Sequence, residues 1–380
     1  MLHSGRHHAG RARWSILGMP DAWVIAPTPP HEPANPVTLL DEALAGTRLD
    51  AGARSTAHDS LPFVGGWIGV LGYELGRGME PSASRGPDPR QRTDGTAWPL
   101  IEFARCGGAL LFDAADQTWR IVGRAAAVDR LADIAGAIGS SIGRRVNGEH
   151  NGAGASPRPS PAPAPHWRLE ALRAIPEDDD FRRVVRETVE LIRAGDIFQA
   201  NIARFLHGRI TGDRRAFAMA ALRGARPWYG ALLELNDGRS IVSLSPELFL
   251  EGDLRSGEVL TRPVKGTRPA SVAPEVLLRS EKDTAELTMI IDLMRNDLGR
   301  VCRIGSVRVC EPRHVESHPT VHHGVAGVCG RLRPDVTFGA LLEATFPPGS
   351  VTGAPKIRAM QVIEALEPMP RGPYCGAIGF

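Results

Sequence analysis

The sequence predicts an α+β protein, strand-rich and antiparallel, with helices at its flanks. Two kinds of observation lead there. Short apolar runs rich in branched and aromatic residues meet at tight-turn signals, as at Asp113 to Gln117 and at Asn236-Asp237-Gly238. Other stretches carry helix formers or apolar residues at helical spacing, at 125–142, 180–194 and 274–298. The chain has 380 residues, enough for one large domain or two ordinary ones.

From the N-terminus, 13–19 and 22–26 read as short strands joined at Pro20-Asp21. The proline-rich 27–36 reads as a loop. Thr38 is a good N-cap for a helix through Leu44, and Gly46 ends it. Glycine is too dense at 61–77 for a regular helix, which predicts closely packed backbone. That stretch lacks the G-x-x-x-x-G-K-S/T of a phosphate loop. Residues 79–98 read as a surface loop, 101–112 and 118–122 as strands, and the alanine-rich 125–142 as a helix. The prolines of 148–165 allow no regular element and predict a linker. The predicted organisation is an N-terminal region at 1–147, a linker at 148–166 and a second region at 167–380.

In the second region, Phe181, Val184, Val185, Thr188, Val189 and Ile192 share one face of a helix that Gly195 stops. Residues 196–205 alternate like a strand, with Gln199 and Asn201 on the face of Ile197. A hairpin at 228–244 leads to Glu247 at a strand edge. The helix at 274–298 takes its apolar positions from Leu278, Ile290, Leu293 and Met294. Glu286 lies among Leu287, Met289 and Ile290, so it faces the core and needs a partner. A hard divalent cation or an arginine would serve.

Net charge is +2, which points away from nucleic acid, and no apolar run approaches a membrane span. The five cysteines form no C-x-x-C pair, which argues against zinc or a disulfide framework and predicts a reducing cytoplasm. Met1 to Arg13 is basic but lacks the apolar core of a signal peptide.

Lysine is rare here: Lys265, Lys282 and Lys356 are the only three. Arginine stays protonated, whereas a lysine that loses its proton can attack carbon. Arg262 and Arg268 flank Lys265, and like charges disfavour its ammonium form. Freeing an ordinary lysine amine near neutral pH costs roughly 4 kcal/mol. Lys265 is therefore either a nucleophile or a solvated lysine in a turn.

The segments 262–269 (Arg-Pro-Val-Lys-Gly-Thr-Arg-Pro), 281–286 (Glu-Lys-Asp-Thr-Ala-Glu) and 292–300 (Asp-Leu-Met-Arg-Asn-Asp-Leu-Gly-Arg) resemble the chorismate-utilising enzymes. That family includes the anthranilate, aminodeoxychorismate, isochorismate and salicylate synthases. Segments 346–360 and 371–379 carry the resemblance further, and it spans most of the chain. It implies an anthranilate synthase component I-like fold, a sandwich of layered antiparallel sheets with flanking helices. Residues 167–380 would be the chorismate-binding catalytic domain. Lysine at position 265 resembles the aminodeoxychorismate branch, where the anthranilate branch carries alanine. The resemblance makes Lys265 the nucleophile, Glu247 the acid for a departing hydroxyl and His323 the active-site histidine. It implies substrate contacts at Gly266, Thr267, Ser350, Gly353 and Tyr374. Ser350, Thr352 and Gly353 would offer hydroxyls and amides to a carboxylate. It makes Glu286 a ligand of Mg²⁺, the expected cofactor. Gln199 stands where the water-adding branches carry lysine, which disfavours water as co-substrate. Chorismate is the implied substrate, and a glutamine amidotransferase subunit the implied source of ammonia, for p-aminobenzoate and folate synthesis.

Two departures bear on the metal. Thr284 replaces a family arginine, and Leu287 an asparagine or histidine, so a weaker shell is expected. Relatives also continue past the position of Phe380 with a substrate arginine and a further magnesium ligand. The expectation is a C-terminally truncated chain that binds magnesium poorly. Two rival readings stay open: anthranilate synthase component I, and an inactive chorismate-binding or partner-binding protein.

Overall fold

The strand Gly66–Leu71 buries both of its faces, Trp67 and Leu71 on one and Ile68 and Val70 on the other. A strand apolar on both sides belongs inside a sheet covered on both faces. In the computed structural model it lies between Ile101–Asp113 and Ala377–Gly379. The structure describes residues 1–3, 13–26, 35–46, 61–83, 97–146, 167–253 and 256–380.

This first sheet has eight strands. Its order is Ser240–Ser245, Tyr229–Glu234, Leu2–His3, Trp14–Ala26, Ile101–Asp113, Gly66–Leu71 and Ala377–Gly379, with Thr118–Gly123 also on Ile101–Asp113. It takes strands from both sides of 147–166. The helices Pro36–Ala45 and Phe338–Thr345 cover one face through Val37, Leu40 and Leu342.

A second sheet of five strands runs Leu248–Asp253, Glu258–Arg262, Val321–Arg331, Val264–Pro269, with Arg308–Ser317 also paired to Val321–Arg331. The helix Glu281–Gly299 packs on it, Ile290, Met294 and Leu298 meeting Val259 and Val328. Each such buried side chain contributes about 1.5–3 kcal/mol relative to exposure. Two short ladders complete the pairing: Gln199–Ala200 with Gly353–Ala354, and Trp167–Ile175 with Phe205–Gly212. Every pairing among the described strands is antiparallel. No helix among the described residues is long and apolar enough to cross a membrane.

Several expectations need correction. The two strands expected around Pro20 are one, Trp14–Ala26, because a bulge between Gly18 and Ala22 absorbs the proline. Asn35, not Thr38, caps the first helix: its Oδ1 accepts from the Val37 amide at 3.1 Å, and Pro36 sits in the first turn. Gly46 ends that helix as expected. The helix expected over 274–298 is two, Pro274–Leu278 and Glu281–Gly299. Ser280 is extended there, and its Oγ accepts from the Asp283 amide at 3.3 Å, starting a new helix. The break buries Leu277 and leaves Leu278 exposed. Only Gln199–Ala200 of 196–204 is strand.

The amphipathic helix spans Asp178–Arg193 and buries Val184 and Thr188, but Val185, Val189 and Ile192 stay exposed. The strands at 101–113 and 118–123 and the hairpin at 229–245 match, as does the helix Ala125–Val146. Trp167–Ile175 was not legible as a strand. The loop residues 27–34 and 84–96 and the proline-rich linker lie outside the described residues.

Candidate active site

Lys265 lies on Val264–Pro269 with its side chain only 9% exposed. A register shift between Val264 and Thr267 interrupts pairing with the neighbouring strand there. Gly266 sits in that bulge at φ +82, and a Cβ would come within 2.8 Å of Leu277 and 3.0 Å of Asp283. Only glycine meets both conditions.

The Lys265 ammonium donates to Asn201 Oδ1 at 3.2 Å and lies 3.5 Å from Glu286 Oε1. Gln199 Nε2 donates to that same oxygen at 2.9 Å. Asn201 Nδ2 donates to the Ser350 carbonyl at 2.5 Å. The ladder of Gly353–Ala354 on Gln199–Ala200 sets this spacing. Gly353 takes φ +146, and a Cβ there would stand 2.1 Å from the Gln199 carbonyl. Glu286 thus has a partner as expected, but neither of its partners is an arginine.

Glu247 Oε1 accepts from the Val264 amide at 3.3 Å. Its side chain keeps a partial opening to solvent, yet the carboxyl is packed round by protein. Burial pushes its pKa up, and Ser350, the Val264 amide and the Lys265 charge oppose that only in part. The Ser350 hydroxyl is buried beside it and completes no well-formed hydrogen bond. A carboxyl biased toward its protonated form suits an acid catalyst.

Thr267 and His323 face each other across the strand pair and share a hydrogen bond of 3.0 Å. Burial lowers the His323 pKa, which favours the neutral ring at pH 7. They pair with each other rather than with Lys265. Tyr374 is 57% exposed and packs edge-on against Phe205. The neighbouring Cys375 and burial push its phenol up to about 12. Thr352 is fully buried and donates to the Pro348 carbonyl at 3.1 Å, so its hydroxyl is not offered to a ligand as expected.

The flanking arginines do not crowd Lys265. Arg262 is buried against Glu311 and Glu316, and Arg268 pairs with Asp283 at 2.6 Å. Leu287 is fully buried, and the Thr284 hydroxyl donates to the Ser280 carbonyl.

Magnesium commonly takes one or two carboxylates together with waters and substrate oxygens. Glu286, at 26% side-chain exposure, fits the part of one ligand. Among the described residues no group of three or more His, Cys, Asp or Glu side chains is placed to hold a metal ion. A cavity of about 530 Å³ lined in part by Trp23, Glu102 and Leu233 opens on the first sheet, apart from this cluster.

Asn201, Lys356 and Arg371 carry further polar contacts. Asn201 carries the hydrogen bond to Lys265, and its place two residues after Gln199 was the available signal. Lys356, another of the three lysines, donates to Asp297 at 2.5 Å and to the Thr345 carbonyl at 3.2 Å. Burial lifts Asp297 to about 6 against the pull of that lysine. Arg371 bonds Glu367 four residues earlier, a spacing visible in the sequence.

The sequence pattern of chorismate binding enzymes matches residues 21–380. Aminodeoxychorismate synthase component 1 of Klebsiella aerogenes is 33% identical, with 100% of this chain and 81% of the relative covered. Anthranilate synthase component 1 of Thermus thermophilus is 37% identical over 85% of this chain and 67% of the relative. The crystal structure of anthranilate synthase component I from Streptococcus pneumoniae superposes with a TM-score of 0.74 at 28% identity, covering 97% of this chain and 80% of that one. The chain belongs to the family of chorismate binding enzymes.

Proposed function

We propose that this chain acts as an aminodeoxychorismate synthase component 1, converting chorismate and ammonia to 4-amino-4-deoxychorismate and water. The observation that carries the reading is Lys265, a buried lysine held by Asn201 and Glu286 beside Gln199. The similarity to the Klebsiella aerogenes relative along the whole chain supports it.

In this reading the neutral amine of Lys265 adds to C2 of chorismate. The ring double bond shifts, and the C4 hydroxyl leaves as water with the proton of Glu247. Ammonia then adds at C4, the double bond returns, and Lys265 departs from C2. The raised pKa of Glu247 supports its role as the donor. Gln199 has no basic nitrogen with which to activate water, and it orients the Glu286 carboxylate. Ser350, Gly353, Gly266 and Thr267 would line the substrate, with His323 and Tyr374 at its margins. Magnesium, held by Glu286, would supply positive charge to a substrate carboxylate. A glutamine amidotransferase partner would supply ammonia in the cytoplasm, for p-aminobenzoate and folate synthesis; the five free cysteines are compatible with that compartment.

Anthranilate synthase component 1 is the second reading, favoured by the 37% identity to the Thermus thermophilus relative. One assay separates them: the chain is incubated with chorismate, Mg²⁺ and ammonium salt, beside Lys265→Ala, and products are identified by mass. A non-aromatic amino product that Lys265→Ala cannot make is expected. Anthranilate from the parent would move the assignment to the second reading, and no turnover would favour an inactive chorismate-binding or partner-binding protein over both.

A further inference from the structure

We propose that Arg371 is a positioning residue for the Lys265 amine, acting through Asn201 and the Ser350 segment. The inference rests on the reading of Lys265 as the nucleophile.

The Arg371 guanidinium is 1% exposed, and the Glu367 side chain is fully buried. Arg371 Nε and Nη2 donate to the two Glu367 carboxylate oxygens at 3.0 and 2.6 Å. The rest of the guanidinium reaches backbone: Nη2 donates to the Asn201 carbonyl at 2.5 Å, and Nη1 to the Val351 carbonyl at 3.0 Å. Glu367 Oε1 also accepts from the Ala203 amide at 2.7 Å. Glu74 holds the other side, accepting from the Arg371 and Gly372 amides at 2.7 and 2.9 Å. The Tyr73 ring lies 4.6 Å from the guanidinium.

Those two carbonyls flank the span that matters. The Asn201 amide bridges Lys265 on one side and the Ser350 carbonyl on the other. Arg371 holds the backbone at Asn201 and at Val351, the residue after Ser350. One rigid fork therefore holds the backbone on both sides of the Asn201–Ser350 contact, from which the Asn201 amide reaches the amine. A lysine is a single point donor and cannot replace that fork. Each direct bond of Arg371 goes to a protein group of the scaffold, which makes it a positioning residue rather than a catalytic one.

The test is a coupling measurement. Arg371→Lys is made in the parent and in Asn201→Ala, with thermal unfolding as a check that each folds. The first readout is acylation of the Lys265 amine by an N-hydroxysuccinimide ester, followed by the mass of its peptide and referenced to Lys282. In the parent, Arg371→Lys changes Lys265 labelling about tenfold and lowers kcat by a similar factor with KM little moved. In Asn201→Ala it changes either readout by less than about twofold, because the bridge is already gone. Equal effects in both backgrounds would make Arg371 a general scaffold and overturn the proposal, as would unchanged labelling in the parent. Should Arg371→Lys not fold, Glu367→Gln repeats the cycle, since it loosens the fork while keeping the arginine. Labelling requires no turnover, so failure of the proposed reaction leaves this outcome readable.

Discussion

Replacing Gly353 with alanine isolates the contact that brings the Ser350 segment to Gln199. The added Cβ would lie 2.1 Å from the Gln199 carbonyl oxygen and 2.9 Å from both Ala200 Cα and Ala359 Cβ. The nearest of these is backbone, so no rotamer change relieves it. The residue also sits at φ +146, where an L side chain is strained by about 1–3 kcal/mol. Forcing apart a packed contact adds about 1–3 kcal/mol. A loss of about 2–6 kcal/mol follows, about 3–8 °C in the unfolding midpoint of a chain of 380 residues. Two controls separate the contributions. Gly305, at φ +78 with nothing within 4 Å of its Cβ position, carries the backbone strain alone. Gly299, at the end of its helix and equally open, carries neither, and alanine there is neutral or stabilising by up to about 1 kcal/mol. Thermal unfolding of the three variants gives the ranking, and chorismate turnover gives the consequence at Gln199. If Gly353→Ala is no less stable than Gly305→Ala, the argument from close backbone approach is wrong.

Other outcomes follow from the same geometry. Lys356→Met leaves the Asp297 carboxylate buried without its cation and costs about 3–5 kcal/mol, while adding Asp297→Asn restores much of it; chemical denaturation of both variants checks this. Glu247→Gln keeps the shape but cannot give a proton, so turnover drops about 100- to 10,000-fold. Because burial raises the Glu247 pKa, the active form is the protonated one below it. The parent rate should therefore fall as pH climbs through that value, and a pH–rate profile without an alkaline limb would remove Glu247 from the acid role. Tyr374→Phe removes one hydroxyl from a residue that is more than half exposed, so stability should stay within about 0.5 kcal/mol of the parent while KM for chorismate rises.

Local chemistry was readable in the chain, and distance was not. The Asn236-Asp237-Gly238 turn fixes its hairpin within a few residues, and Gly238 takes the positive φ that such a turn needs. The rarity of lysine pointed to Lys265. Its partners, like those of Lys356, lie far off along the chain: Lys265 meets Asn201 across 64 residues and Lys356 meets Asp297 across 59. No periodicity carries that information. Arg262 and Arg268 were misread for a related reason. Nearness along a strand suggested repulsion of Lys265, but their carboxylate partners come from other elements. The phase of the helix at 274–298 failed at Ser280, where one capping hydroxyl restarted the count and exchanged Leu278 for Leu277 in the core.

The fork of Arg371 also bears on when the site forms. Asn201 lies 149 residues before Ser350 and 170 before Arg371. Closing a flexible loop of 170 residues opposes folding by about 4.5 kcal/mol of chain entropy. Such contacts form late, and during synthesis residues near 265 emerge well before those near 371. The Lys265 amine is thus immobilised later than the strand that carries it. In a refolding experiment, protection of Lys265 against acylation should lag behind the collapse of the second sheet, whose strands all lie within 248–331.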